Sequence, residues 1–167
     1  MTRYAKDTVA KAQKAFATGE APLIKKVNES EDVLDEYQRS LTQYLIEVSE
    51  ANLSTRESME YPVLLHSVND IEKIGDYAKN IANFAEIRTD KKLTLQPEAQ
   101  IQIDEMFELL YMLFDDVIDS LQSEHVDQAN HAIEIEDRID SMKSQIREKH
   151  IERLQKGEND PNAEMIV

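Results

Sequence analysis

Three Glu-x-x-x-Asp pairs are the residues of this chain best suited to chemistry: Glu31 with Asp35, Glu72 with Asp76, and Glu136 with Asp140. A spacing of four puts both carboxylates of a pair on one face of a helix, about one turn apart. Like charges at that spacing repel, so solvent or a cation must offset them. If the helices carrying Glu31/Asp35 and Glu72/Asp76 lie side by side, four carboxylates meet at one seam. Hard cations such as Mg²⁺, Mn²⁺ or Fe take oxygen ligands of this kind. The pairs also read as solvated, salt-bridged helix faces, with Lys73, Arg138 and Lys143 as counter-charges. Gly75 favours the ligand reading. A glycine inside a helix costs about 1 kcal/mol relative to alanine, and close approach of a second helix at that level accounts for it. Asn69, Asp76, Asn80 and Asn83 continue a polar column down the same helix.

Other chemistry is poorly supported. The chain has no cysteine, which removes disulfides and thiolate metal sites. None of the histidines (His66, His125, His131, His150) follows a glutamate by three, so the Glu-x-x-His pairs of di-iron bundles are absent. His66 lies near an apolar face and reads as a packing residue. There is no glycine-rich phosphate loop, no Gly-x-Ser-x-Gly and no His-Glu-x-x-His. The net charge of −15 repels nucleic acid and anionic lipid, and no basic stripe with interleaved aromatics appears. The longest apolar run, Leu109 to Phe114, is far short of the roughly 20 residues a membrane span needs, and the N-terminus has no apolar signal segment.

The elements that must position the acidic pairs are helices. Gly and Pro are rare, at 3 and 4 residues, and helical periodicity runs the length of the chain. Ala5, Val9, Ala12 and Phe16 form one stripe, closed by Gly19. Val27, Leu34, Leu41, Leu45 and Val48 form a second. Asn52 and Ser54 mark a turn, and Glu57, three residues after Ser54, completes a capping box. A third helix carries Pro62 in an early turn, where a kink is expected. Met106, Phe107, Leu110, Leu113, Phe114, Val117 and Leu121 make the most apolar helix. Ile133, Ile135, Ile139, Met142 and Ile146 stripe the last long one. Gly157 to Pro161 reads as a turn, and Asn162 to Val167 as the start of another helix. The predicted helices are 2–18, 21–51, 54–88, 97–122 and 125–156.

The chain also resembles itself. A shift of 105 residues lays Glu29-Ser30-Glu31-Asp32-Val33-Leu34-Asp35 over Glu134-Ile135-Glu136-Asp137-Arg138-Ile139-Asp140. It also lays Ala5, Val9, Ala12 and Phe16 over Leu110, Phe114, Val117 and Leu121. The fold class is therefore all-α: antiparallel helical bundles built as a tandem three-helix repeat, the second repeat lacking its last helix. Residues 1–90 form the first bundle and 91–167 the incomplete one. The apolar faces of its two helices, without a third to cover them, predict self-association into a dimer or larger oligomer.

Glu72-Lys73-Ile74-Gly75-Asp76-Tyr77-Ala78-Lys79-Asn80-Ile81-Ala82 resembles the motif of the PhoU (phosphate-uptake regulator) family, usually written LERIGDHAxNIA. It departs conservatively, at Lys73 for Arg and at Tyr77 for His. The segment from His150 to Pro161 resembles the one preceding the family's last helix, and the wording around His66 and Gly157 is similar to the PhoU-like cytoplasmic domains of Na⁺/phosphate cotransporters. The resemblance implies two pseudo-symmetric three-helix bundles. It implies metal ions (Fe, Mn, Mg or Zn) on Glu31, Asp35, Glu72 and Asp76, with Glu136 and Asp140 matching in the second bundle. It implies no catalytic step. It places the protein in the cytoplasm, at the inner face of the plasma membrane. The partner it implies is a membrane phosphate transporter, which includes the transmembrane part of the same polypeptide, or a signalling protein. A metal-free helical scaffold acting through protein contacts is the competing reading.

Overall fold

The computed structural model describes residues 1–51, 53–123 and 126–156. Every regular element among them is a helix: α1 (Thr2–Thr18), α2 (Ala21–Ser49), α3 (Thr55–Asp90), α4 (Pro97–Ser123) and α5 (Val126–Gln155). The ends lie within about two residues of those predicted. Asn52, His125 and the turn and helix expected over Gly157–Val167 lie outside the described residues. The chain divides into two compact units, Met1–Asp90 and Lys91–Val167.

In the first unit each helix packs against the other two. Tyr4 meets Tyr37 edge-on at 5.9 Å between ring centroids, and Lys11 Nζ donates to Ser30 Oγ at 3.1 Å. The residue numbers run oppositely, so α1 and α2 are antiparallel. Leu34 lies against Gly75 while Gln38 bonds Asn69, so α2 and α3 are antiparallel too. The core is made largely of small residues: Ala5, Ala12 and Ala15 of α1 and Ala78, Ala82 and Ala85 of α3 are buried, with Val27 and Leu34 of α2. Interaxial distance follows side-chain size, so alanine faces let these helices approach closely.

The ends are fastened as their residues dictate. Gly19 takes φ +69°, a left-handed value that suits glycine, and its N–H returns to the Ala15 carbonyl. A Cβ there would also collide with Thr89. Arg88 of α3 donates to the Phe16 carbonyl at 2.8 Å, locking the far end of α3 onto α1. At the start of α3 the Ser54 N–H donates to Glu57 Oε2 at 2.7 Å and the Glu57 N–H to Ser54 Oγ at 3.3 Å, the reciprocal pair of a capping box. Helix α3 continues through Pro62.

In the second unit α4 and α5 pair antiparallel. Asp116 meets His131 at 2.7 Å and Glu98 meets Lys149 at 3.3 Å. Phe107, Leu109, Phe114 and Ile118 of α4 and Ala132 and Ile135 of α5 are buried. Among the described residues this unit contributes two helices, and it exposes Met112, Leu121, Val126, Ile133 and Ile151. Two members of the predicted stripes therefore do not face inward. Ile133 and Ile135 are two residues apart, about 200° around a helix, so they point to opposite sides of α5; Ile135 is buried and Ile133 is exposed. Leu121 is exposed in the last turn of α4. His66, expected to pack, is exposed on α3.

Candidate functional site

The acidic seam lies between α2 and α3, and Gly75 positions it. A Cβ at residue 75 would stand 2.7 Å from Leu34 Cδ1 and 3.7 Å from Glu31 Cγ. The backbone of α3 thus rests directly on the α2 turn that carries Glu31 and Leu34. This is the close helix approach expected from an interior glycine. It sets Glu31 level with the α3 turn between Glu72 and Asp76.

Three of the seam's carboxylates, Glu31, Glu72 and Asp76, have a cationic neighbour. The Glu31 side chain is 8% exposed, and its Oε2 accepts from Lys79 Nζ at 2.8 Å. Lys73 Nζ sits 2.7 Å from Asp76 Oδ2 and 3.4 Å from Glu72 Oε2, bridging the i, i+4 pair whose repulsion the spacing foretold. Both ammonium groups titrate above their ordinary value near 10.5. For Lys79 the main cause is the hydrogen bond to Glu31. The charges of Glu31, Asp32 and Asp35 add to it against the opposing effect of burial. For Lys73 the main cause is the hydrogen bond to Asp76, then that to Glu72. Gln38 Nε2 donates to Asn69 Oδ1 at 2.9 Å, closing the seam beyond Leu34.

The six predicted ligands thus fall into three sets. Glu31 and Asp35 of α2 both lie within electrostatic reach of Lys79. Glu72 and Asp76 of α3 share Lys73. Glu136 and Asp140 stand exposed on α5, where Lys143 lies 3.5 Å from Asp140. Among the described residues no three carboxylates or imidazoles converge closely enough to hold a metal ion. Sequence reasoning named Lys73, Arg138 and Lys143 as counter-charges and missed Lys79. A signal was present: Lys79 lies four residues beyond Gly75, one turn along the face turned to α2.

A second concave feature, of about 530 Å³, lies between α4 and α5, lined by Glu105, Glu108, Leu109, Met112, Arg138 and Met142 among others. Two glutamates against one arginine make it a poor receptor for an anion.

Comparison with known proteins adds a lineage. A family model described as "PhoU domain" matches residues 1–85 and 103–167. A curated relative, "Phosphate-specific transport system accessory protein PhoU homolog 1" of Thermotoga maritima, is 27% identical over 147 residues, 87% of this chain. The chain spans 62% of that relative's length. No described helix is long and apolar enough to cross a membrane.

Proposed function

The chain belongs to the PhoU domain family, and from that premise we propose that it is a regulatory accessory module of phosphate transport. It acts by contact with a membrane phosphate transporter, or the transmembrane part of its own polypeptide, or a signalling component, at the inner face of the plasma membrane. The relative's name supports the transport role, and the all-helical build supports a role through contacts.

The seam between α2 and α3 is its regulatory input, a site for a metal ion (Fe, Mn, Mg or Zn) held by Glu31, Asp35, Glu72 and Asp76. The observation that carries this is Gly75, which brings the nearly buried Glu31 level with Glu72 and Asp76. The donor set is all oxygen, which fits hard cations. When bound, the ion supplies positive charge that draws α2 and α3 together, in place of Lys73 and Lys79. Glu136 and Asp140 fit a metal less well, because both stand exposed on α5.

The lysines favour a second reading. With Lys79 on Glu31 and Lys73 on Glu72 and Asp76, the seam is neutralised by the chain itself, and the module works as a metal-free scaffold. Elemental mass spectrometry of purified wild type beside Glu72→Ala/Asp76→Ala separates the two. Stoichiometric metal lost in the variant establishes the cation site. Absence of metal, with melting unchanged by Mn²⁺, Mg²⁺ or Fe, leaves the scaffold. The transport role is tested by radiolabelled phosphate uptake in cells lacking the protein, with and without its restoration. Loss of uptake control that wild type restores is expected, and identical uptake in all strains sinks the reading.

A further inference from the structure

Helix α3 carries apolar residues on two faces. The inner face buries Val68, Ala78, Ala82 and Ala85. On the outer face, alternating steps of four and three from Met59 give Val63, His66, Asp70, Lys73, Tyr77, Asn80, Phe84 and Ile87, and every one of these residues is exposed. Met59 is 71% exposed, Val63 63%, Tyr77 64% and Phe84 46%. Isolated apolar residues on a surface are ordinary. A four-three stripe sustained over about 42 Å of helix is the spacing by which helices pack on one another.

The order of residues along the stripe says which helix fits it. Apolar groups sit at both ends, Met59 and Val63 at one and Phe84 and Ile87 at the other. An acid and a base, Asp70 and Lys73, sit at the centre. In a parallel pair Asp70 would oppose Asp70 and Lys73 would oppose Lys73, which repel. Turned antiparallel about a point between them, the stripe complements itself: Asp70 faces the partner's Lys73, and Met59 faces the partner's Phe84. A two-fold interface requires such reciprocity, and like-charge opposition excludes the alternative. Lys73 has three N–H donors, enough to serve Asp76 and Glu72 in its own chain and Asp70 across the interface. A lipid surface does not suit a stripe charged at its centre on a chain of net charge −15.

We propose that the outer face of α3 is a self-association surface, through which a second copy of this chain docks antiparallel, helix on helix, about an axis between Asp70 and Lys73.

The chain has no cysteine, so engineered ones report cleanly. In sedimentation equilibrium, wild type is expected to show a concentration-dependent dimer. Met59→Glu should weaken it at least tenfold, whereas Ile133→Glu, also exposed but in the second unit, should leave it unchanged. Mild oxidation of mixed Met59→Cys and Phe84→Cys proteins should give a disulfide dimer that neither gives alone. A wild type that stays monomeric at its highest soluble concentration overturns the proposal. So does a dimer lost with Ile133→Glu and kept with Met59→Glu, or Met59→Cys cross-linking to itself.

Discussion

Replacing Gly75 by alanine sets two effects of known sign against each other. In a free helix the change stabilises by about 1 kcal/mol, because alanine gives up less backbone entropy. Here the new Cβ would stand 2.7 Å from Leu34 Cδ1, too close for any real contact, while Leu34 Cβ at 3.5 Å and Glu31 Cγ at 3.7 Å are ordinary neighbours. Only one terminal methyl must move, but it belongs to the fully buried Leu34, so its shift presses into the core. Overpacking of this kind costs about 1–3 kcal/mol, so the net expectation is a loss of about 0–2 kcal/mol. In a unit of this size each kcal/mol lowers the melting temperature by about 4–8 °C. Circular dichroism melts and urea titrations read it directly. A double-mutant cycle sharpens the test. Leu34→Ala alone should cost about 2–5 kcal/mol. In the Gly75→Ala background it should cost less, since it removes the clashing methyl, with a coupling of at least about 0.5 kcal/mol. Stabilisation near 1 kcal/mol by Gly75→Ala, or additive costs, would refute close packing at this level.

Three other outcomes follow from the same contacts. Lys79→Met leaves the Glu31 carboxylate nearly buried without its donor, at a cost of about 1–3 kcal/mol, towards the low end because the Lys79 side chain is 41% exposed. If the seam takes a cation, the same variant should bind Mn²⁺ more tightly by calorimetry, since it removes a competing charge, and weaker binding would count against that site. Ser54→Ala removes half of the capping box and should cost about 1 kcal/mol in chemical denaturation. The pH dependence has a definite sign. Lys73 and Lys79 titrate higher in the folded protein than their ordinary value near 10.5, so their contribution is complete below that value and is lost as pH rises through the raised one. Melting temperature should therefore show no change attributable to these lysines between pH 7 and 9, where their contribution is constant, and a fall attributable to them only above about 10.5. A lysine-dependent fall below that range, abolished in Lys73→Met and Lys79→Met, would contradict the assigned pairs.

Much of the fold was legible because its signals are local. Gly19, the Ser54/Glu57 box and the apolar periods each act within a few residues, and each fixes a helix end or face without reference to the rest of the chain. The failures have a common cause. Ile133 and Leu121 were placed inside because they are apolar, yet which side of a helix is covered depends on its neighbours. Ile135 occupies the inward face of α5, and Leu121 stands where no described neighbour covers it. The exposed stripe of α3 belongs with these. Its inner alanines satisfy the bundle, so a second apolar face escapes a search for one amphipathic stripe per helix.

The site was legible to a different depth. Gly75 announced a close helix crossing, because interior glycine carries a cost that nothing local offsets, and Leu34 lies at that crossing. The crossing fixes which carboxylates share a seam, since it sets the register of α2 against α3. It does not fix what neutralises them. Lysine stems are long and flexible, and an ammonium can reach any acid within several ångströms, so Lys79 finds Glu31 from 48 residues away. Backbone spacing constrains a metal ligand set and a lysine-neutralised seam equally, since both need acids facing across a tight crossing. The difference lies in the lysines. A cation site gains affinity when Lys73 and Lys79 are made neutral, whereas a scaffold only loses stability. Removing the bases, rather than the acids, is therefore the substitution whose sign separates the two roles of this seam.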